Sequence, residues 1–401
     1  MTDQGEGGGF STRAIHAGDL PPGIAEQPVS PPVWLTADYL YEGLDHYAEV
    51  IGGRRPGYVY GRHGGPTHLA LHRVLASLEG AEEAWSFASG MAALHAALAV
   101  LVRAGDHVVA QRTIYGGTWA LLTTTFAAFG VETTFVEPEA EAVAAALRPS
   151  TRAVLLETVA NPTFRVADVG GVAAVCADRR VALVVDNTVA TPYLLRPLSL
   201  PARPAETLVV HSTTKYVGGH SDVIGGAVAG DAGPIERVRR AAIELGSTAG
   251  AFDAWLALRG AQTMALRLDR QCGTAAMVAA FLEGHPRVER VGYSGLASHP
   301  DHGRASALFD GPRYGAILSF DVRGGYEAAS RACGVLRVVR VGSSFGGLHS
   351  EICHPATTSH RQMPPAERVA AGIGDGLLRL AVGGEDPADL LADLERALEG
   401  A

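Results

Sequence analysis

The chain almost lacks lysine. Of its 33 lysine and arginine residues, only Lys215 is a lysine. A bias towards arginine explains the other positions, and it should also act at position 215, because a surface charge usually tolerates arginine. Arginine keeps its proton at any working pH, whereas a desolvated lysine amine becomes a neutral nucleophile. The single lysine therefore indicates amine chemistry, most simply a Schiff base; a lysine retained by chance is the alternative.

Other absences narrow the class of protein. Basic residues are not in excess, and the formal net charge of −9 argues against a nucleic-acid partner. The sequence shows neither the basic-then-apolar pattern of a signal peptide nor an apolar stretch long enough for a bilayer, so we expect no membrane partner. The cysteines are few, far apart and without metal-ligand spacing, which predicts reduced thiols and a cytoplasmic location. They are Cys176, Cys272, Cys333 and Cys353.

The organisation along the chain predicts three parts. Residues 1–60 are rich in glycine and proline and read as an extended arm, of which at least part, the stretch VWLTADYL, is expected to dock on something. In residues 61–260, short apolar runs such as AVLLETV and ALVVDNTV alternate with helical segments, which predicts an α/β domain with a mostly parallel sheet. Residues 261–401 carry long helices around the strand-like runs GAILSFDV, VLRVVRV and LLRLAV, which indicates a smaller α+β domain.

Polar side chains follow several of the apolar runs, where ligands gather in parallel sheets. These residues are Asn161, Asp186, Ser212, Thr214 and Lys215. A carboxylate such as Asp186 suits a protonated pyridine nitrogen, although a turn or N-cap role is the alternative.

A second group of residues suits a phosphate. Ser89, Gly90 and Met91 stand at the start of a predicted helix, whose free N–H groups bind anions, and Arg62 supplies a cation. A lysine, an aspartate and a phosphate cradle are the protein parts of a pyridoxal phosphate site.

The sequence resembles the Cys/Met-metabolism pyridoxal-phosphate enzymes, which include cystathionine γ-synthase, cystathionine γ-lyase, methionine γ-lyase and the O-acylhomoserine sulfhydrylases. The resemblance covers residues 11 to 400 and rests on separated motifs: YGRHGGPT, FASGMAA, TIYGG, ETVANPT, VVDNT, HSTTKYVGGHSDVIGG, LEGHP, HPATTSH and AGIGDGLLRLAVG. It implies fold type I, the aspartate-aminotransferase-like fold, with a mostly parallel sheet and a smaller α+β C-terminal domain.

The resemblance also implies the roles of individual residues. Lys215 is expected to hold pyridoxal 5'-phosphate and to move protons, and Tyr115 to stack on the cofactor ring and act as an acid or base. The implied cofactor-binding residues are Tyr60, Arg62, Ser89, Gly90, Met91, Tyr115, Asn161, Asp186, Ser212, Thr214 and Lys215. The implied substrate-binding residues are Asn161, Ser344, His349, Ser359 and Arg379, and no metal is expected. Tyr60 and Arg62 would reach the phosphate of a neighbouring subunit, which implies a homodimer or homotetramer with shared active sites.

The match departs from the family pattern at positions that bear on the substrate. Trp119 and Ala120 stand where cystathionine enzymes carry a polar residue and an arginine, which weakens the case for a distal carboxylate. Gly116 stands where methionine γ-lyases carry a cysteine, and His349 stands where relatives carry a glutamate, with Glu351 two residues later.

The expected reaction is γ-elimination on a sulfur amino acid such as methionine, homocysteine or cystathionine, giving a 2-oxo acid, ammonia and a thiol. The alternatives are γ-replacement on an O-acylhomoserine and a specialised secondary-metabolic substitution. Two other classes of protein compete with these. A metalloprotein would use His68 and His72, spaced i, i+4, with His63 nearby, but no complete ligand set is evident. A non-catalytic cofactor-binding regulator is the other, and the intact Lys215, Tyr115 and Arg379 argue against it.

Overall fold

The structure is a computed structural model that describes residues 8–19 and 28–400. Its strands are β1 (Glu83–Phe87), β2 (His107–Gln111), β3 (Glu132–Val136), β4 (Thr151–Glu157), β5 (Ala182–Asp186), β6 (Thr207–His211), β7 (Gly226–Gly230), β8 (Val288–Gly292), β9 (Ile317–Val322), β10 (Arg340–Val341), β11 (Glu351–Cys353) and β12 (Leu377–Ala381).

Its α-helices are α1 (Phe10–His16), α2 (Leu44–Ile51), α3 (Pro66–Glu79), α4 (Gly90–Ala99), α5 (Gly116–Ala120), α6 (Ala140–Ala146), α7 (Val169–Arg179), α8 (Thr191–Leu194), α9 (Ala232–Leu245), α10 (Ala251–Ala261), α11 (Met264–Gly284), α12 (His302–Leu308), α13 (Gly325–Val335), α14 (Pro365–Ala370) and α15 (Pro387–Glu399). A π-helical turn over Leu121–Phe126 continues α5. None of these helices combines the length and the apolar composition that crossing a membrane requires.

The central sheet has seven strands within the described residues, in the order β1-β7-β6-β5-β4-β2-β3. Strand β7 runs antiparallel to both of its neighbours, and the other pairings are parallel. Along β4, Ala153 and Leu155 enter one apolar cluster while Val154 and Leu156 enter another. Side chains on both faces are therefore buried, as a parallel sheet covered by helices requires. The predicted α/β class with a mostly parallel sheet is confirmed.

The C-terminal part contains a five-stranded sheet in the order β10-β11-β12-β9-β8, and its core includes side chains of α11 and α15. This agrees with the predicted α+β domain. Helix α10 ends at Ala261 and α11 begins at Met264. The limits 1–60, 61–260 and 261–401 stay a prediction. The run VLRVVRV, expected to be a strand, contributes only Arg340–Val341, the whole of β10.

The arm is attached to the body but leaves apolar side chains in solvent. The N–H of Trp34 donates to Thr67 Oγ1 at 2.9 Å, and Trp255 Nε1 donates to the carbonyl of Pro31 at 3.0 Å. Between these anchors and α2, Leu35 is 75% exposed and Leu40 is 99% exposed. Part of the stretch VWLTADYL is therefore not covered by its own chain.

Candidate active site

A cavity of about 560 Å³ lies where β4, β5 and β6 end against the C-terminal domain. Parallel sheets commonly bind ligands at this edge. The structure brings eleven of the residues proposed from the sequence to this cavity: Ser89, Gly90, Met91, Tyr115, Asn161, Asp186, Ser212, Thr214, Lys215, Ser359 and Arg379. Their individual roles stay predictions.

The amine of Lys215 lies inside the cavity, in the turn that follows β6. Its Nζ donates to Ser344 Oγ at 2.8 Å and lies 4.9 Å from the centroid of the Phe345 ring. Burial, and then the nearby Arg379 guanidinium, lowers the pKa of Lys215 to about 8, although the Glu351 carboxylate acts in the opposite direction. The surroundings therefore favour the neutral, nucleophilic form of the amine.

Two carboxylates stand side by side at the ends of β4 and β5. Glu157 and Asp186 are register partners, and burial raises the pKa of both. Each also accepts backbone hydrogen bonds: Glu157 from Tyr115 at 2.7 Å and from Asn161 at 3.1 Å, Asp186 from Thr188 at 3.0 Å. Because burial disfavours the ionised forms of these carboxyl groups, a cation in the cavity would be needed to stabilise their negative charge. A protonated pyridine nitrogen fits this requirement.

Helix α4 begins at the wall of the same cavity. Ser89 Oγ accepts the N–H of Ala92 at 3.1 Å, so this serine is the N-cap. The next residue must be small, because a Cβ on Gly90 would lie 2.8 Å from Ser212 Cβ. The free N–H groups of the first helical turn therefore meet the hydroxyl side of Ser212, an arrangement suited to a phosphate. The Thr214 hydroxyl is held by Gly225, whose N–H donates to it at 2.9 Å.

Arg379, on β12, is the largest fully buried side chain in the described residues. Its Nη2 donates to the carbonyls of Ser343 at 2.7 Å and Ser344 at 2.9 Å, and its Nη1 reaches Asn161 Oδ1 at 3.5 Å. Its Nε is buried and finds no acceptor among the described residues. A buried donor without an acceptor is costly, so this face of the guanidinium suits an incoming carboxylate.

Four residues proposed from the sequence are not among those that line the cavity. Ser344 lies behind the wall and contacts two of the lining residues, Lys215 through its hydroxyl and Arg379 through its carbonyl. Tyr60 and Arg62 lie on the surface, with Arg62 Cζ 5.5 Å from the Tyr60 ring centroid and Arg62 Nη1 donating to Ile243 at 3.1 Å. Their assignment to a neighbouring subunit stays a prediction.

The substrate-binding role of His349 stays a prediction, and in this chain its side chain is exposed and does not line the cavity. The reason is its neighbour Ser350, which is fully buried and bound to Glu385 through both its N–H, at 2.7 Å, and its hydroxyl, at 2.8 Å. Glu351, on the following position, turns inward and accepts the N–H of Ser344 at 3.0 Å.

Sequence reasoning missed other residues of the cavity wall. Glu157 ends the apolar run of β4, so the strand-end rule that selected Asp186 would also have found it. Phe345, Thr358 and Arg361 line the cavity from the C-terminal domain. They come from irregular segments, which carry no periodic signal.

The histidines of the metalloprotein alternative belong to the packing of α3. Ser86 donates its N–H to His72 Nε2 at 3.0 Å, and His68 Nε2 contacts the carbonyl of Ala249 at 2.9 Å. Burial lowers the pKa of His72 to about 3. Within residues 8–19 and 28–400, no group of three or more His, Cys, Asp and Glu side chains is placed to hold a metal ion.

Comparisons with known proteins agree with this geometry. The family described as Cys/Met metabolism PLP-dependent enzyme matches residues 11–399. L-Methionine gamma-lyase of Porphyromonas gingivalis is 39% identical, over 98% of this chain and 97% of that protein. Cystathionine gamma-synthase of Mycobacterium tuberculosis is 41% identical, over 97% of each. The crystal structure of a putative O-acetylhomoserine (thiol)-lyase of Campylobacter jejuni, with N'-pyridoxyl-lysine-5'-monophosphate, has a TM-score of 0.92 at 30% identity, covering 97% of this chain and 99% of that one.

These matches cover nearly the whole chain, so they bear on fold, cofactor and class together. They confirm the predicted fold type I architecture, pyridoxal 5'-phosphate as cofactor, and an enzyme of sulfur amino-acid metabolism. The chain therefore belongs to the Cys/Met-metabolism family of pyridoxal-phosphate-dependent enzymes.

Proposed function

We propose that this enzyme is a carbon–sulfur lyase acting by γ-elimination on a sulfur amino acid such as methionine, homocysteine or cystathionine. The products are a 2-oxo acid, ammonia and a thiol. The observation that carries the proposal is the amine of Lys215, held 2.8 Å from Ser344 Oγ in the same cavity as Arg379. An amine that titrates near neutrality beside a cation for an α-carboxylate suits proton removal from an α-amino acid. The identity to an L-methionine gamma-lyase supports elimination.

The residues at the sheet edge suit the cofactor. Bound pyridoxal 5'-phosphate supplies the electron sink that stabilises negative charge at the substrate Cα. Lys215 Nζ would hold the aldehyde carbon, and the Asp186 carboxylate would pair with the pyridine nitrogen. The N–H groups of residues 89–91, with the hydroxyls of Ser212 and Thr214, would bind the phosphate.

The remaining residues would position and protonate the substrate. Arg379 would bind the α-carboxylate through its unpartnered Nε and through Nη1, whose only contact is the long one to Asn161. Lys215 Nζ would then accept a proton from Cα and, later, from Cβ. Tyr115 would donate its phenolic proton to the departing sulfur. The Asn161 amide would orient the ring through its 3-oxygen, and Ser359 would close the wall beside the substrate.

A second candidate reaction is γ-replacement on an O-acylhomoserine. The 41% identity to a cystathionine gamma-synthase favours it. Elimination and replacement use the same base and the same carboxylate clamp. They differ in whether a thiol attacks the γ-carbon before the product leaves.

We also infer a homodimer or homotetramer in which residues 1–60 contact the partner, 61–260 bind the cofactor and 261–401 complete the substrate pocket. Exposed apolar residues of the arm, including Leu35 and Leu40, support this assembly. Tyr60 and Arg62 would complete the partner's phosphate site. The four free cysteines support a reducing, cytoplasmic location.

The test is a product assay on the purified holoenzyme. Methionine, homocysteine and cystathionine are each supplied alone, and 2-oxo acid, ammonia and thiol are measured. O-Acetyl- and O-succinylhomoserine are then supplied with an added thiol. Equal amounts of 2-oxo acid and ammonia, formed even when thiol is present, are the expected result. Thioether as the main product would contradict elimination and favour γ-replacement. Lys215→Arg, whose side chain cannot bond to the cofactor aldehyde, is the inactive control.

A further inference from the structure

Five charged side chains line the cavity, and four of them have an assigned partner. Glu157 accepts the N–H of Tyr115, and Asp186 suits the cofactor nitrogen. Lys215 suits the aldehyde, and Arg379 suits the α-carboxylate. Arg361 is the fifth. No group of the cofactor or of the α-amino acid remains for its guanidinium to bind.

The guanidinium of Arg361 is available for a ligand. Within the described residues it makes no side-chain hydrogen bond and no ion pair, although it lines the cavity and is exposed at its mouth. Some other arginines of this fold are held by carboxylates, as Arg304 is by Glu139 at 2.5 Å and Arg290 by Asp321 at 2.9 Å. What sets Arg361 apart from the other unpaired arginines is its place in the wall of the cavity.

The backbone that carries Arg361 is fixed relative to the reaction centre. The preceding residue, His360, is buried, with its Nε2 3.3 Å from the carbonyl of Ile114 and its Nδ1 2.9 Å from Ser359 Oγ. Two residues later, Met363 lies in an apolar cluster against which Trp119 packs. The contacts with Ile114 and Trp119 hold the segment against the loop and helix that carry Tyr115. The backbone from which the Arg361 side chain extends is therefore fixed relative to the cavity wall.

We propose that Arg361 selects substrates with an anionic group, such as a second carboxylate, at the end of the side chain distal to the α-carbon. A guanidinium binds a carboxylate bidentately and discriminates against an uncharged end group of the same size. The proposal rests on the assigned γ-elimination site for its direction, from Arg379 through Lys215 to the mouth. It also revises the expectation drawn from Ala120, because the cation absent there is supplied by Arg361 from another segment.

The test compares two ligands on the holoenzyme, L-2-aminoadipate and L-norleucine. They share a carbon skeleton and differ in having a carboxylate or a methyl at the distal end, and neither has a γ-leaving group. Dissociation constants come from the change in cofactor absorption on titration. We expect wild-type enzyme to bind 2-aminoadipate about five- to tenfold more tightly than norleucine, the range for a partly exposed charge-assisted contact. Higher salt should reduce the preference.

The variants separate the contact from general effects. Arg361→Gln should remove the preference by weakening only 2-aminoadipate, and Arg361→Lys should keep part of it. Arg331→Gln, which changes an exposed arginine on α13, is the matched control and should alter neither constant. Equal binding of both ligands to wild type, a preference for norleucine, or a preference that survives in Arg361→Gln would overturn the proposal. If no γ-substituted amino acid is turned over, the proposed function fails while this binding comparison still stands.

Discussion

The amine of Lys215 is surrounded by features that oppose its charge. Burial lowers its pKa to about 8, and the Arg379 guanidinium acts in the same direction. A solvated lysine has a pKa of about 10.4, so the neutral fraction of the amine near neutral pH is far larger at this site. An arginine here would stay charged and could not form the cofactor link. The need for a neutral amine at this buried position therefore explains why a chain that otherwise uses arginine keeps one lysine here.

We predict that apoprotein takes up pyridoxal 5'-phosphate covalently at a rate that rises with pH, with its midpoint at about pH 8, because only the neutral amine attacks the aldehyde. The rate is measured by the absorption change after mixing. Because Lys215 is the sole lysine, borohydride reduction and peptide mass mapping identify the site directly. Lys215→Arg should take up no label. A midpoint near that of free lysine would contradict the assigned environment.

The same shift fixes the sign of a stability effect in the apoprotein. Between about 8 and the unfolded-state value of about 10.4, unfolding takes up a proton at Lys215. The contribution of this group to stability therefore increases as pH rises through that window.

Gly116 allows helix α5 to pack against the cavity wall. A Cβ at this position would overlap the carbonyl oxygen of Ser359, a backbone atom that cannot rotate away. We expect Gly116→Ala to displace the wall, costing about 1–3 kcal/mol of stability as overpacking does and lowering kcat/KM about tenfold. Gly170→Ala in α7 is the control, because a Cβ there meets nothing within 4 Å. Thermal unfolding and steady-state kinetics check the pair, and an unchanged kcat/KM in Gly116→Ala would contradict the role.

At the scale of elements, one carboxylate replaces a strand partner. The run VLRVVRV has strand composition, yet the N–H groups of residues 337–339 donate to the buried Asp393 carboxylate of α15, at distances from 2.8 to 3.2 Å. Because these donors are satisfied by a side chain, they do not need a neighbouring strand. Only Arg340–Val341 joins the sheet, pairing with β11.

We predict that Asp393→Asn lowers the free energy of unfolding by about 1–3 kcal/mol, because the amide cannot accept all of these N–H groups. Although burial alone would raise it, the hydrogen bonds from residues 337–339 hold the pKa of Asp393 below its ordinary value. Its stabilisation is therefore present above about pH 3.9 and is lost as pH falls through the lower folded-state pKa. Urea unfolding measures the change. Asp389→Asn, an exposed position on the same helix, should have little effect.

How far the sequence predicts each element follows from where its partners lie. Runs such as AVLLETV and ALVVDNTV are buried on both faces, so composition alone indicates β4 and β5. Strand β1, with the sequence EAWSF, contains polar residues and pairs with β7, which is far away along the chain. Its pairing with β7 makes this segment a strand, and its own residues do not indicate that pairing.

The candidate site divides in the same way. Asp186 and Lys215 follow apolar strands and are predictable from that position. Arg361 and Thr358 reach the cavity only because the C-terminal domain packs on the Tyr115 loop, a contact made far from their own sequence. The substrate side of the pocket is therefore the part that sequence patterns indicate least.

At the scale of the molecule, the arm is the feature that a single chain leaves unsatisfied. Leu35, Leu40 and Leu44 are 75%, 99% and 86% exposed, although the segment is held at Trp34 and by the Tyr41 hydroxyl, which donates to Tyr58 at 2.7 Å. Ordered backbone that presents apolar side chains to water is unfavourable unless another surface covers them. The proposed second copy of the chain would meet this requirement and would bring Arg62 within reach of a neighbouring site.

Subunit mixing tests whether that site is shared. Arg62→Ala and Lys215→Ala each remove a different subunit's contribution, so either homodimer should be nearly inactive. In a hybrid dimer, one site has both defects and the other has neither. If dimers re-form at random after mild dissociation, half are hybrids with one intact site, and activity should recover to about one quarter of wild type. Each variant taken alone through dissociation is the control. Activity no greater than the sum of the two variants would mean that Arg62 serves its own chain, and the exposed arm would then need a different partner.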